Sequence, residues 1–146
     1  MTGKDRRILM DEAIKNIVIP FLRAEGFRGS YPHFTRIKYD RINLLTFQYS
    51  LYSSKFVVEI ANCPSTGSIV DGKQIEPSKC RVHYEGKRLR VGSIKNKTDY
   101  WFDFNKELIF SNIYKKKAKE VIALWPEAER WWEENPYLQR TLQVPG

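Results

Sequence analysis

The chain has 146 residues, and its 25 Lys and Arg against 17 Asp and Glu leave a formal charge of +8. Aromatic residues make up 14%, with only 8 Gly and 7 Pro, which excludes disordered, collagen-like and low-complexity classes. A chain of this length fits one domain that buries roughly 70% of its unfolded surface, and 2 cysteines cannot build a disulfide framework.

The first predicted element is a helix over residues 4–25, because Met10, Ala13, Ile14, Ile17, Phe21 and Ala24 recur at spacings of three and four. Pro20 lacks the amide donor for the Asn16 carbonyl, so a kink or break is expected there. Gly26 supplies a left-handed stop, and Phe27 follows where a C-terminal apolar contact is usual. The basic start of this segment does not read as a secretory leader, since Asp11 and Glu12 interrupt the apolar run.

Strands are expected next, over 34–39, 42–52 and 56–62, separated by the turns 40–41 and 53–55. Turns this short require antiparallel pairing. Residues 64–78 carry Pro64, Gly67, Gly72 and Pro77 with little periodicity and read as a loop or insertion, with Asp71-Gly72 suited to a tight hairpin. Strands resume at 80–84 and return at 88–94, forming a second hairpin, followed by a short aromatic strand at 100–104.

The last third reads as helical. Asn105 is the expected N-cap, with Glu107 in the first turn and an apolar stripe through Phe110, Ile113, Tyr114, Ala118, Val121, Ile122 and Trp125. Pro126 suits the start of a further helix bearing Trp131 and Trp132, and residues 137–146 read as a loosely ordered tail. The order predicts an α+β domain over 1–146: an antiparallel sheet of about five to seven strands, with the N- and C-terminal helices packed on one face. No stretch approaches the roughly 18 apolar residues of a membrane span, so no membrane is expected as a partner and the chain reads as cytoplasmic.

Several segments together resemble a bacterial family of unknown function, number 4304: "PFLRAEGFRGS" (20–30), "HFTRI" (33–37), "INLLTFQYSLYSSKFVVEIA" (42–61), "CRVHYEGKRLRVGSI" (80–94) and "DYWF" (99–102). The resemblance covers roughly residues 5–135 and implies a small α+β domain. It implies no activity, cofactor or catalytic residue.

The residues themselves offer few chemical motifs. There is no Gly-x-Ser-x-Gly elbow, His-Glu-x-x-His helix or phosphate-binding loop. Cys63, Cys80 and His83 are too few for a structural zinc site, so no metal or cofactor is expected. Basic charge concentrates over 79–97, where Lys79, Arg81, Lys87, Arg88, Arg90, Lys95 and Lys97 face only Glu85. Arginine forks on neighbouring strands suit carboxylates or phosphates, although charge on an edge hairpin also serves to prevent aggregation. The adjacent Trp131 and Trp132 cannot share one helix face, so one of them is expected at a rim as a binding anchor.

The reading that follows is a non-catalytic interaction module whose basic sheet face meets an acidic protein, in the manner of an inhibitor or immunity protein. Two alternatives stand beside it. One is RNA or single-stranded nucleic-acid binding through basic strands and the aromatics Tyr84, Tyr100 and Trp101. The other is an enzyme using His83 with Glu85 or Glu59 as acid and base.

Overall fold

The structure, a computed structural model, describes residues 2–105 and 112–137. The chain begins with helix α1 (Gly3–Ala13), held by a reciprocal capping box between Thr2 and Asp5. A wide π turn (Ile14–Val18) leads into α2 (Ile19–Ala24), and Pro20 occupies the first turn of α2. The expected kink therefore takes the form of one enlarged turn, in which the Ile19 N–H donates to the Ile14 carbonyl. Gly26 has φ +94°, its N–H donates to the Arg23 carbonyl and that of Phe27 to the Leu22 carbonyl, which closes the helix end.

Strands β1 (Arg28–Ser30), β2 (His33–Ile37), β3 (Ile42–Tyr49) and β4 (Lys55–Cys63) form consecutive antiparallel pairs. β5 (Ile69–Val70) and β6 (Lys73–Gln74) make a separate ribbon inside the 64–78 loop, turning on Asp71 and Gly72, both at positive φ. The main sheet continues with β7 (Arg88–Arg90) beside β4, then a one-turn helix α3 (Ser93–Asn96), and β8 (Phe102–Asp103) pairs with the start of β4. The last described elements are α4 (Ile113–Ala123) and α5 (Trp125–Glu134). The six-stranded antiparallel sheet with helices from both ends of the chain is the expected α+β class.

Two expectations need correction. Residues 80–84 do not form a strand, and 80–94 is not a hairpin. Cys80 and Arg81 are extended, Val82–Tyr84 is a 3-10 turn, and the return segment is strand only over Arg88–Arg90. The physical reason lies in β4. Its Lys55–Cys63 run is apolar on both sides, so both faces of the sheet demand a cover. The helices cover one face, where Met10, Ile14, Leu22, Val121, Trp125 and Trp132 pack on Leu45, Phe47, Phe56, Val58 and Ile60. Cys80 and Val82 cover part of the other, over Ile42, Leu44, Ala61 and Cys63. A segment used as a lid cannot also be a ladder strand.

The second correction concerns α4. Its cap is Asn112, whose Oδ1 accepts from the Tyr114 and Lys115 amides at 3.0 and 3.1 Å, and not Asn105, whose own amide donates to Asp103. Glu107, Phe110 and the tail beyond Tyr137 lie outside the described residues. Among the described residues, no helix is long and apolar enough to cross a membrane.

Candidate functional site

Strand alternation and register place one polar row across the face opposite the helices. Ser30 pairs with His33, His33 with Thr46, Thr46 with Glu59, and Glu59 with Arg90, so these side chains lie side by side across five strands. Thr46 Oγ1 lies 3.1 Å from His33 Nδ1. Glu59 is buried, and its carboxylate accepts from Arg88 Nη1 at 3.0 Å and from Arg90 Nε at 3.3 Å. Arg90 also donates to Asp99 Oδ2 at 2.7 Å. Two cations approach the Trp101 ring, with Lys55 Nζ and Arg90 Cζ 4.7 and 5.0 Å from its centroid.

The covering segment converts the β1–β2 end of this row into a groove of about 550 Å³, with Ser30, His33 and Thr35 on its floor and Lys79, Arg81 and Tyr84 among its walls. Cys80 anchors the wall: its sulfur accepts the Ser68 amide at 3.2 Å and approaches the Glu76 carbonyl at 3.4 Å. The His83 ring stands 6.2 Å from that of His33 and 4.4 Å from that of Tyr84. Burial, then the Arg81 charge, then His83 hold the His33 imidazole below its ordinary pKa, so the neutral ring is favoured. The groove thus combines a neutral, hydrogen-bonding histidine with exposed cations. It offers donors to an anion.

A family model described as a domain of unknown function, DUF4304, matches residues 18–134. The chain belongs to this family. No curated protein and no solved structure matches it.

In this DUF4304 chain the residues singled out from sequence fall into three places. Lys79 and Arg81 line the groove. Arg88 and Arg90 share its sheet face and are tied to Glu59, while Lys87 is exposed in the turn before them. Lys95 and Trp131 line a different concavity, of about 490 Å³, beside Ile94, Pro126 and Arg130. Of the two adjacent tryptophans, Trp131 borders this concavity, although both are largely covered. Trp131 and Trp132 are 9% and 2% exposed, because both belong to the apolar cluster that α4, α5 and β4 share, so that neighbouring positions both find apolar cover. Trp132 also donates its indole N–H to the Ala61 carbonyl at 3.1 Å.

His33 and Thr46 went unnoticed in the sequence, where each is one polar residue in a strand. Only the pairing register aligns them with Glu59 and Arg90. The aromatic set also divides. Tyr100 packs edge-on against Phe102 and hydrogen-bonds Glu120, so it belongs to the helical side, whereas Tyr84 borders the groove. His83 and Glu85 are not on one strand face, since His83 lies in the 3-10 turn. His83 is exposed, Glu85 has a buried carboxyl oxygen raised in pKa by burial, and Glu59 is held by its arginines. Cys63 and Cys80 are free thiols in one buried cluster, and burial pushes the Cys63 thiol well up. Among the described residues, no three His, Cys, Asp or Glu side chains converge as metal ligands.

Proposed function

We propose that this DUF4304 domain is a non-catalytic, cytoplasmic interaction module that receives an acidic segment of a protein partner on the face opposite its helices. The observation that carries this reading is Arg81. It stands exposed at the groove wall, and among the described residues no carboxylate pairs with it. Lys79 beside it meets only the exposed Glu76, at 3.5 Å, an arrangement of little energetic weight. Arg88 is 43% exposed in its side chain and keeps donors beyond those given to Glu59. An incoming Asp or Glu would find the Arg81 fork, with Lys79 to raise the encounter rate and His33 as a neutral hydrogen-bonding floor.

The test compares the native chain with Lys79→Glu/Arg81→Glu, using fluorescence anisotropy of an Asp/Glu-rich peptide and of a single-stranded RNA of equal length. The reading expects peptide binding that the double reversal abolishes. Peptide binding untouched by the reversal, or RNA bound in its place with a steep loss as salt rises, contradicts it.

A further inference from the structure

A second polar concavity, of about 370 Å³, opens between the first turns of α1 and the loop joining β3 to β4. Lys4 and Arg7 reach it from the helix, Ser53 and Ser54 from the loop, and Tyr49 and Tyr52 form its aromatic boundary. Among the described residues no carboxylate lines it. The acid on the same helix turn, Asp5, is committed to the Thr2 amide and hydroxyl at 3.0 and 2.8 Å.

The arginine is placed by the fold. Its guanidinium carbon sits 4.3 Å from the Tyr49 ring centroid. That ring is fixed from behind, since the Tyr49 hydroxyl donates to Asp11 Oδ1 at 2.7 Å, and the Tyr31 hydroxyl donates to the same oxygen at 2.7 Å. Asp11 is thereby engaged by both hydroxyls and does not line the concavity. Among the described residues, Arg7 and Lys4 pair with no carboxylate. The Ser53 and Ser54 hydroxyls likewise make no internal hydrogen bond, although their carbonyls accept from Lys55 and Phe104. Among the described residues, two cations without a carboxylate partner and two hydroxyls without an internal hydrogen bond therefore share one small volume.

We propose that this concavity is a binding site for a small phosphate monoester. The phosphate would sit against Arg7, Lys4 and the serine hydroxyls, and its organic part against Tyr49 and the exposed Leu51 and Tyr52. A phosphate has three terminal oxygens and up to two charges. It uses a fork, a point charge and two hydroxyls together, whereas a planar carboxylate with two oxygens leaves donors unused. The volume lies in the range of small-molecule sites. This site shares no residue with the groove on the other sheet face and stands apart from the acidic-partner reading.

The test follows backbone amide shifts and calorimetry of the full chain titrated with phenyl phosphate, benzoate and phenol. Phenyl phosphate is expected to saturate, to shift the amides of Arg7, Ser53 and Ser54, and to bind more tightly than benzoate or phenol. Arg7→Gln, an exposed helix position whose folding is checked by its melting curve, is expected to weaken binding about tenfold or more. Arg81→Glu is expected to leave it unchanged. The site is overturned by absence of saturation at about 10 mM phenyl phosphate, by equal affinity for benzoate, or by a folded Arg7→Gln chain that binds as the native one does.

Discussion

Glu59 and Arg90 face each other in the β4–β7 ladder, and Arg90 Nε donates to Glu59 Oε2 at 3.3 Å. This pair, with Arg88 on the other carboxylate oxygen, lets a buried acid sit in a largely apolar strand. It divides the basic cluster by role. Arg88 and Arg90 neutralise Glu59, and Arg81 is left to face solvent at the groove.

Removing the Glu59 charge leaves two partly exposed guanidinium groups with one neutral amide oxygen in place of their shared carboxylate. Glu59→Gln is expected to lower the unfolding free energy by about 2 kcal/mol. The figure stays below that for a fully buried pair because the arginine side chains are 43% and 33% exposed. Urea unfolding of the two chains measures it, and an unchanged midpoint would mean that the ion pairs contribute nothing.

Gly92 has φ +99°, and an added Cβ would lie 2.4 Å from the Tyr100 ring. Its amide is also bonded by the Glu127 carboxylate, which ties α3 to α5. Gly92→Ala combines a strained backbone with a clash against a half-buried ring, for a loss of about 2 kcal/mol or more. Thermal unfolding checks it, with Gly86→Ala as the control, since no atom lies near the added Cβ there.

These two sites show where sequence reasoning ended. The stop at Gly26–Phe27, the strands flanking 40–41 and 53–55, and the Asp71-Gly72 ribbon were legible because each depends on local chemistry: a left-handed glycine, an alternating pattern, a tight turn. Residues 80–84 misled because Cys80 and Val82 alternate with Arg81 and His83 as a strand would. The clue to their true use lay elsewhere, in the apolar run of β4, which signals burial on both faces. The row from His33 to Arg90 could not be read at all, since it exists only in the register between strands.

His33 makes the groove sensitive to pH. Its native pKa is depressed from the ordinary 6.5, by burial first and by Arg81 and His83 after it. The unfolded chain takes up this proton more readily than the folded one. The stability it contributes is therefore fully present above about pH 6.5 and is lost as pH falls through the depressed native value. Ring-proton titration is expected to place the His33 midpoint below 6.5, and Arg81→Gln to move it upward without restoring it, because burial remains. A midpoint indifferent to Arg81→Gln would remove Arg81 from the ring's surroundings.

Trp132 joins the helical layer to the sheet, packed on Phe27 and Trp125 and bonded to the Ala61 carbonyl. Trp132→Phe leaves a void and removes the indole bond to the Ala61 carbonyl, with an expected loss of about 2 kcal/mol by denaturant unfolding. A change at the exposed Lys87 to Ala is expected to lie within about 0.5 kcal/mol of the native chain.

The central claim concerns where an acidic partner sits, and backbone amide mapping during titration with the Asp/Glu-rich peptide tests it most directly. The account predicts that perturbed amides concentrate on Ser30, His33, Thr35, Lys79, Arg81 and Tyr84. Perturbations confined to the helical side, or to the concavity around Lys95 and Trp131, would contradict it.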